Sequence, residues 1–134
     1  MNTATTTLPT QEVAYRPVGL CRVGKFVDAI QELYAPRVVG IEPEGGPGPS
    51  RIEGFDNVIN KSIAFGKSVE QVYSVVLSDP VVDGAFFSVS MHMDIDMAGV
   101  GRTHIEEVCV YEVKDGKIVC DQFFYSPVPM PGQN

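Results

Sequence analysis

The sequence predicts an α+β protein in which a few helices and a curved antiparallel or mixed sheet enclose an internal pocket. Two observations carry this. Apolar residues recur at three- and four-residue intervals in the first half of the chain, whereas the second half alternates apolar with polar residues between turn signals. Helices first and long hairpin strands afterwards point to segregated layers, not to a doubly wound parallel sheet. A length of 134 residues suits one soluble domain over 1–134, with flexible tails expected at 1–12 and 127–134.

From Pro17 to Tyr34 the stripe Leu20, Val23, Val27, Ile30 and Tyr34 predicts a first helix, with Pro17 in its first turn, a weak point or break at Gly24 and a stop before Pro36. Val38, Val39 and Ile41 make a short strand. Pro43 to Ser50 is a Pro/Gly-rich loop, and Gly45-Gly46-Pro47-Gly48, lacking the Lys and helix entry of a phosphate loop, reads as a pocket lip. Phe55 to Phe65 gives a second helix, expected to end in a left-handed cap at Gly66. Four strands then follow: Val69–Leu77, Ala85–Met97, Thr103–Val113 and Lys117–Tyr125, with turns at Asp79-Pro80, Gly99–Gly101 and Lys114–Gly116. Pro127, Pro129 and Pro131 keep the remaining tail out of a central ladder.

The last hairpin can be registered physically. A two-residue Asp115-Gly116 turn sets Lys114 opposite Lys117, and like charges facing each other across strands are unfavourable. A three-residue turn therefore pairs Val113 with Lys117, Tyr111 with Val119, Cys109 with Asp121, Glu107 with Phe123 and Ile105 with Tyr125. These residues share one face. Val108, Val110, Ile118, Cys120 and Phe124 lie on the other, among His104, Glu106, Glu112 and Gln122. Both faces are apolar enough to need a cover. Helices supply one, and a second copy of the chain is the most economical source of the other, so a homodimer is expected. In the preceding hairpin a four-residue loop at Ala98–Gly101 sets His92 across from Glu107, whereas a three-residue loop sets Met93 there. Both registers stay open. The methionines of that strand fill either the core or the dimer interface.

A formal net charge of −7, with no basic cluster among aromatics, opposes nucleic acid as a partner. No apolar run approaches the ~20 residues of a membrane helix, and Met1 to Thr7 lacks the pattern of a secretory signal. Cys21, Cys109 and Cys120 fit reduced thiols, so a cytoplasmic setting is expected. Two histidines with scattered carboxylates show no metal-ligand spacing, and neither a metal nor a cofactor is expected.

The order of elements resembles the nuclear transport factor-like superfamily, a cone-shaped, cystatin-like α+β barrel that includes ketosteroid isomerases, SnoaL-like polyketide cyclases and epoxide hydrolases. Tyr34-Ala35 followed by Glu42-Pro43-Glu44-Gly45 is similar to the isomerase segment whose Asp is the general base. The run Glu107 to Tyr111, Val113-Lys114-Asp115-Gly116-Lys117-Ile118 and Phe123-Phe124-Tyr125 is similar to the closing hairpin of SnoaL-like domains. The resemblance spans residues 17–125. It implies that Glu42 occupies the base position, that Tyr34 lines the cavity floor, and that Glu107, Cys109, Asp121 and Tyr125 face the pocket. The isomerases' oxyanion-hole Tyr and protonated acid are not matched, since Val18 and Cys109 stand near their places.

The resulting candidate site comprises Glu42, Glu107, Asp121 and His92 as catalytic groups, lined by Tyr34, Cys109, Tyr111, Phe123 and Tyr125. Carboxylates sharing a low-dielectric cavity cannot all ionise, so at least one pKa should rise toward neutrality. His92 is either a proton shuttle to Glu107 or a solvated surface residue. Cys109, which needs a base to act as a nucleophile, is better read as a small core residue. Two functions fit: a cofactor-independent isomerase, cyclase or hydratase acting on a mostly apolar small molecule, or a non-catalytic ligand-binding or dimerisation module.

Overall fold

The computed structural model describes residues 9–46 and 48–126, so the tail expected over 127–134 and most of that over 1–12 lie outside the described residues. The described chain runs α1 (Thr10–Arg22), α2 (Phe26–Leu33), β1 (Tyr34–Ile41), β2 (Arg51–Glu53), α3 (Phe55–Ser68), β3 (Val69–Leu77), β4 (Val81–Asp83), β5 (Phe86–Met97), β6 (Gly101–Lys114) and β7 (Lys117–Phe124). The strands form one curved, unclosed sheet in the order β2-β1-β7-β6-β5-β3, with β4 pairing β5. All neighbours are antiparallel except β1 and β7, so the sheet is mixed.

The expected first helix is in fact two. Gly24 adopts φ 80°, and the N–H groups of Gly24 and Lys25 donate to the carbonyls of Cys21 (3.0 Å) and Leu20 (2.9 Å). This paired capping pattern ends a helix on a left-handed glycine and lets the chain restart at another angle. α1 also begins earlier than expected, at Thr10, so Thr10 to Glu12 are not tail and Pro17 lies inside the helix. Val13, Ala14 and Val18 bury their side chains against the sheet, and that packing outweighs the hydrogen bond lost at Pro17. α3 continues through Gly66 to Ser68 and passes straight into β3, so Gly66 is not a cap. β2 and β4, three residues each, were too short to show a period.

Pro36 sits where β1 is irregular: the pairing with β7 lapses between Tyr34 and Val39, the place where a strand tolerates proline. The main core packs Val13, Leu33, Val38, Val58, Phe87, Val113 and Ile118 between the helices and the concave side of the sheet. Phe87 stacks on Tyr111 with centroids 4.6 Å apart. A second cluster, Val18, Leu77, Val89 and Cys109, continues the core beside it.

Both hairpin registers differ from expectation. The last turn is the two-residue Asp115-Gly116, with φ 53° and 77°, the conformation that best matches strand twist. Lys114 does face Lys117, but both are exposed, and Lys117 turns aside to donate to the carbonyl of Glu32 (2.7 Å). The ladder then shifts at a bulge. Val113 pairs with Ile118, whereas Glu112 pairs with Cys120, leaving Val119 extra. Ile118 is therefore a fully buried core residue and not on the outer face. Beyond the bulge Tyr111 faces Asp121 and Cys109 faces Phe123. At the other hairpin the loop is the three-residue Ala98–Val100, one of the two alternatives, but it sets Met91 and not Met93 across from Glu107.

Candidate functional site

The concave face of the sheet, the three helices and the loop after β1 surround a cavity of about 1450 Å³. That exceeds the roughly 300–1,000 Å³ of most small-molecule sites. Its walls are mainly apolar, with Ile30, Val58, Phe65, Val75, Met93 and Phe123 among them, and Gly46 and Gly48 stand at its lip as expected. Pro47, between them, lies outside the described residues. This is a small-molecule pocket with a few convergent polar groups at one end.

Strand alternation delivers those groups. β6 turns Glu107, Cys109 and Tyr111 to the concave side, and β7 turns Asp121 and Phe123 to the same side. Tyr34, at the α2–β1 junction, donates its hydroxyl to Asp121 Oδ2 at 2.5 Å. Gly40, opposite Asp121 on the parallel strand, makes room for it: a Cβ there would lie 3.1 Å from Asp121 Oδ1. Glu42, just beyond β1, accepts from Tyr125 (2.6 Å) and from the Lys61 ammonium on α3 (2.7 Å). Lys61 also stands 5.6 Å above the Phe123 ring.

The three carboxylates are thus unequal. Glu42 is tied to a cation and a phenol. Asp121 is only 4% exposed, and burial pushes its pKa up to about 6 against the pull of the Tyr34 hydroxyl and the Lys61 charge. Glu107 goes further, to about 7, first through burial and then through the negative charge of Glu42. Its one side-chain partner among the described residues is the Cys109 thiol, 3.6 Å away. Burial drives the Cys109 and Tyr111 pKa values far up, with lesser contributions from neighbouring groups. Burial raises Tyr34 too, with the charge of Asp121 adding to it, so these thiol and phenol groups stay protonated and act as donors. No buried side-chain polar atom among the described residues lacks a partner.

Glu42, Glu107, Asp121, Tyr34, Tyr111, Phe123 and Tyr125 therefore come together as the sequence suggested. Cys109 lies just behind the wall, 1% exposed, as a core thiol. His92 does not join them. It faces Glu106 on the exposed outer side of the sheet, which removes the shuttle reading. Two residues escaped the sequence reading. Lys61 follows Val58 by three positions, so helical spacing could have placed it on the cavity side. The role of Gly40 depends on the parallel pairing of β1 with β7, for which the sequence carries no signal.

The profile of the SnoaL-like domain matches residues 8–125. A SnoaL-like polyketide cyclase candidate from Mesorhizobium loti superposes with a TM-score of 0.82 at 26% identity, covering 88% of this chain and 100% of the other. An NTF2-like protein from Burkholderia thailandensis gives 0.76 at 16% identity, over 90% and 92%. A ketosteroid isomerase-like fold from Catenulispora acidiphila, in complex with trimethylamine, gives 0.68 at 16% identity, over 95% and 93%. Comparison with curated proteins found no match. With its cavity, its closing hairpin and a profile match over most of its length, the chain belongs to the SnoaL-like domain family.

Proposed function

We propose that the protein is a cofactor-independent acid–base enzyme acting next to a carbonyl of a mostly apolar small molecule, with Asp121 as base and Glu107 as acid. The observation that carries this reading is the pair of cavity carboxylates whose surroundings hold them at about 6 and about 7 while a third, Glu42, is already paired. The Tyr34 hydroxyl bonded to Asp121 favours its ionised form, which can take a proton from carbon. Burial and the charge of Glu42 favour the neutral form of Glu107, which can donate to the enolate oxygen. Tyr34 orients Asp121, and Glu42, locked by Lys61 and Tyr125, shapes the mouth instead of acting as base.

The test needs no knowledge of the natural substrate. Apolar ketones of graded size are incubated in D2O, and exchange at carbon next to the carbonyl is followed by NMR. Exchange should peak between pH 6 and 7 on a bell whose limbs belong to the pair, and Asp121→Asn should slow it about 100-fold or more. Exchange that is absent across the series, or indifferent to Asp121→Asn and Glu107→Gln, would favour a ligand-binding module in which the same carboxylates are structural.

We also infer a homodimer through the convex face of the sheet. Val76, Phe86, Val108 and Phe124 are each 48–60% exposed on that face, apolar side chains left open to solvent among the described residues.

A further inference from the structure

We propose that His92, His104 and Glu106 form a binding site for a divalent transition-metal cation, Zn²⁺ in the first instance, on the convex face of the sheet. In the β5–β6 ladder His92 lies directly across from Glu106, and His104 is two residues before Glu106 on the same face. One ligand atom from each of the three lies within 4.8 Å of the other two. His104 Nε2 and Glu106 Oε1 are 3.3 Å apart. Two ligands of a tetrahedral Zn²⁺ at bond lengths of about 2.0–2.1 Å are separated by roughly that distance, so this edge is already close to ligating geometry. The His92 ring meets the His104 ring edge-on, with centroids 5.8 Å apart.

Two imidazoles and a carboxylate are a donor set that suits Zn²⁺, with water or another group in the fourth position. The neighbouring acid is not available to compete. Both oxygens of Asp94 are held by Arg102, at 3.0 and 2.8 Å, and Arg102 in turn lies 3.9 Å over the Tyr73 ring. That clamp fixes the next rung of the ladder and thereby the backbone that carries His104. Linear spacing shows none of this, because residues 92, 104 and 106 converge only through the hairpin register. By strand alternation the three side chains project from the face opposite Glu107, although His104 and Glu106 also border the cavity, and the metal proposal does not rest on the proposed acid–base chemistry.

The test is a titration of the full chain, without affinity tag and with its thiols kept reduced, by Zn²⁺ in a calorimeter and by Co²⁺ followed in the visible spectrum. Light scattering runs alongside, because the site lies one rung from Val108 on the face proposed for self-association. Because Val76, directly across from His92, belongs to that face, the Phe124→Glu variant, expected to be monomeric, is titrated beside the wild type, and one ion per chain is expected in it, with His92→Ala and His104→Ala each weakening binding about tenfold or more. All three side chains are exposed, so these variants should fold, which circular dichroism checks. Glu107→Gln should bind as the wild type does. Absence of binding, binding untouched by both histidine variants, or binding lost in Glu107→Gln instead would overturn the proposal.

Discussion

Lys61 divides the cavity carboxylates into one that is already neutralised and two that are not. Its charge holds Asp121 and Glu107 below where burial alone would put them, and the Tyr34 hydroxyl does the same for Asp121. Tyr34→Phe should therefore raise the Asp121 pKa above its value of about 6, read from the side-chain carboxyl resonance across a pH titration; an unchanged value would show that the 2.5 Å bond is not holding the carboxylate. The same logic ties the residue to stability. The Glu107 pKa in the folded chain, about 7, lies above its ordinary 4.5, so the folded state binds more protons between these values. Its contribution is most favourable below pH 4.5 and is lost as pH rises through 7. Relative to Glu107→Gln, the wild type should lose about 2–3 kcal/mol between pH 4.5 and 8, measured by urea unfolding at each pH. A flat difference would mean that Glu107 is solvated in the native cavity.

At the scale of elements, the β6–β7 hairpin shows what a sequence discloses and what it hides. Like-charge repulsion between Lys114 and Lys117 gave the wrong turn, because exposed ammonium groups at a hairpin tip are screened and free to swing away. The bulge at Val119 was hidden as well. The turn and the bulge displace the pairing by two residues in total, and since side chains alternate with period two, the faces come out the same. Glu107, Cys109, Tyr111, Asp121 and Phe123 were thus grouped correctly on a ladder read in the wrong register. Ile118, on the turn side of the bulge, is where the reading failed. Deleting Val119 leaves Ile118 and Asp121 two residues apart, a spacing that a regular ladder keeps on one face, so Asp121 and Phe123 should still face the cavity. The expected result is a retained cooperative thermal transition, and its loss would show that the local bend of the bulge, and not only the register, is required. Helix boundaries were less legible still: the division at Gly24 was visible as a weak point, but the start of α1 rests on packing of Val13 and Ala14 that no local signal announces.

For the whole molecule, the sheet has two apolar faces, but the described helices lie on only one. The concave side is closed by α1, α2 and α3, and the convex side leaves Val108 and Phe124 about half exposed. Light scattering on the purified chain should give twice the monomer mass at micromolar concentration, and Phe124→Glu should return it to the monomer mass with the cavity intact. A wild type that is monomeric at all accessible concentrations would remove the inference. The unpaired carboxylates carry a further consequence for the molecule as a thermodynamic system. An uncharged ligand that displaces water from around Glu107 strips solvation from a group already balanced between its two ionisation states near pH 7, and so drives it toward the neutral form. Ligand uptake and proton uptake then become a single event. The heat of binding should change with the ionisation enthalpy of the buffer, and the slope of that dependence counts the fraction of a proton that each ligand draws from solution.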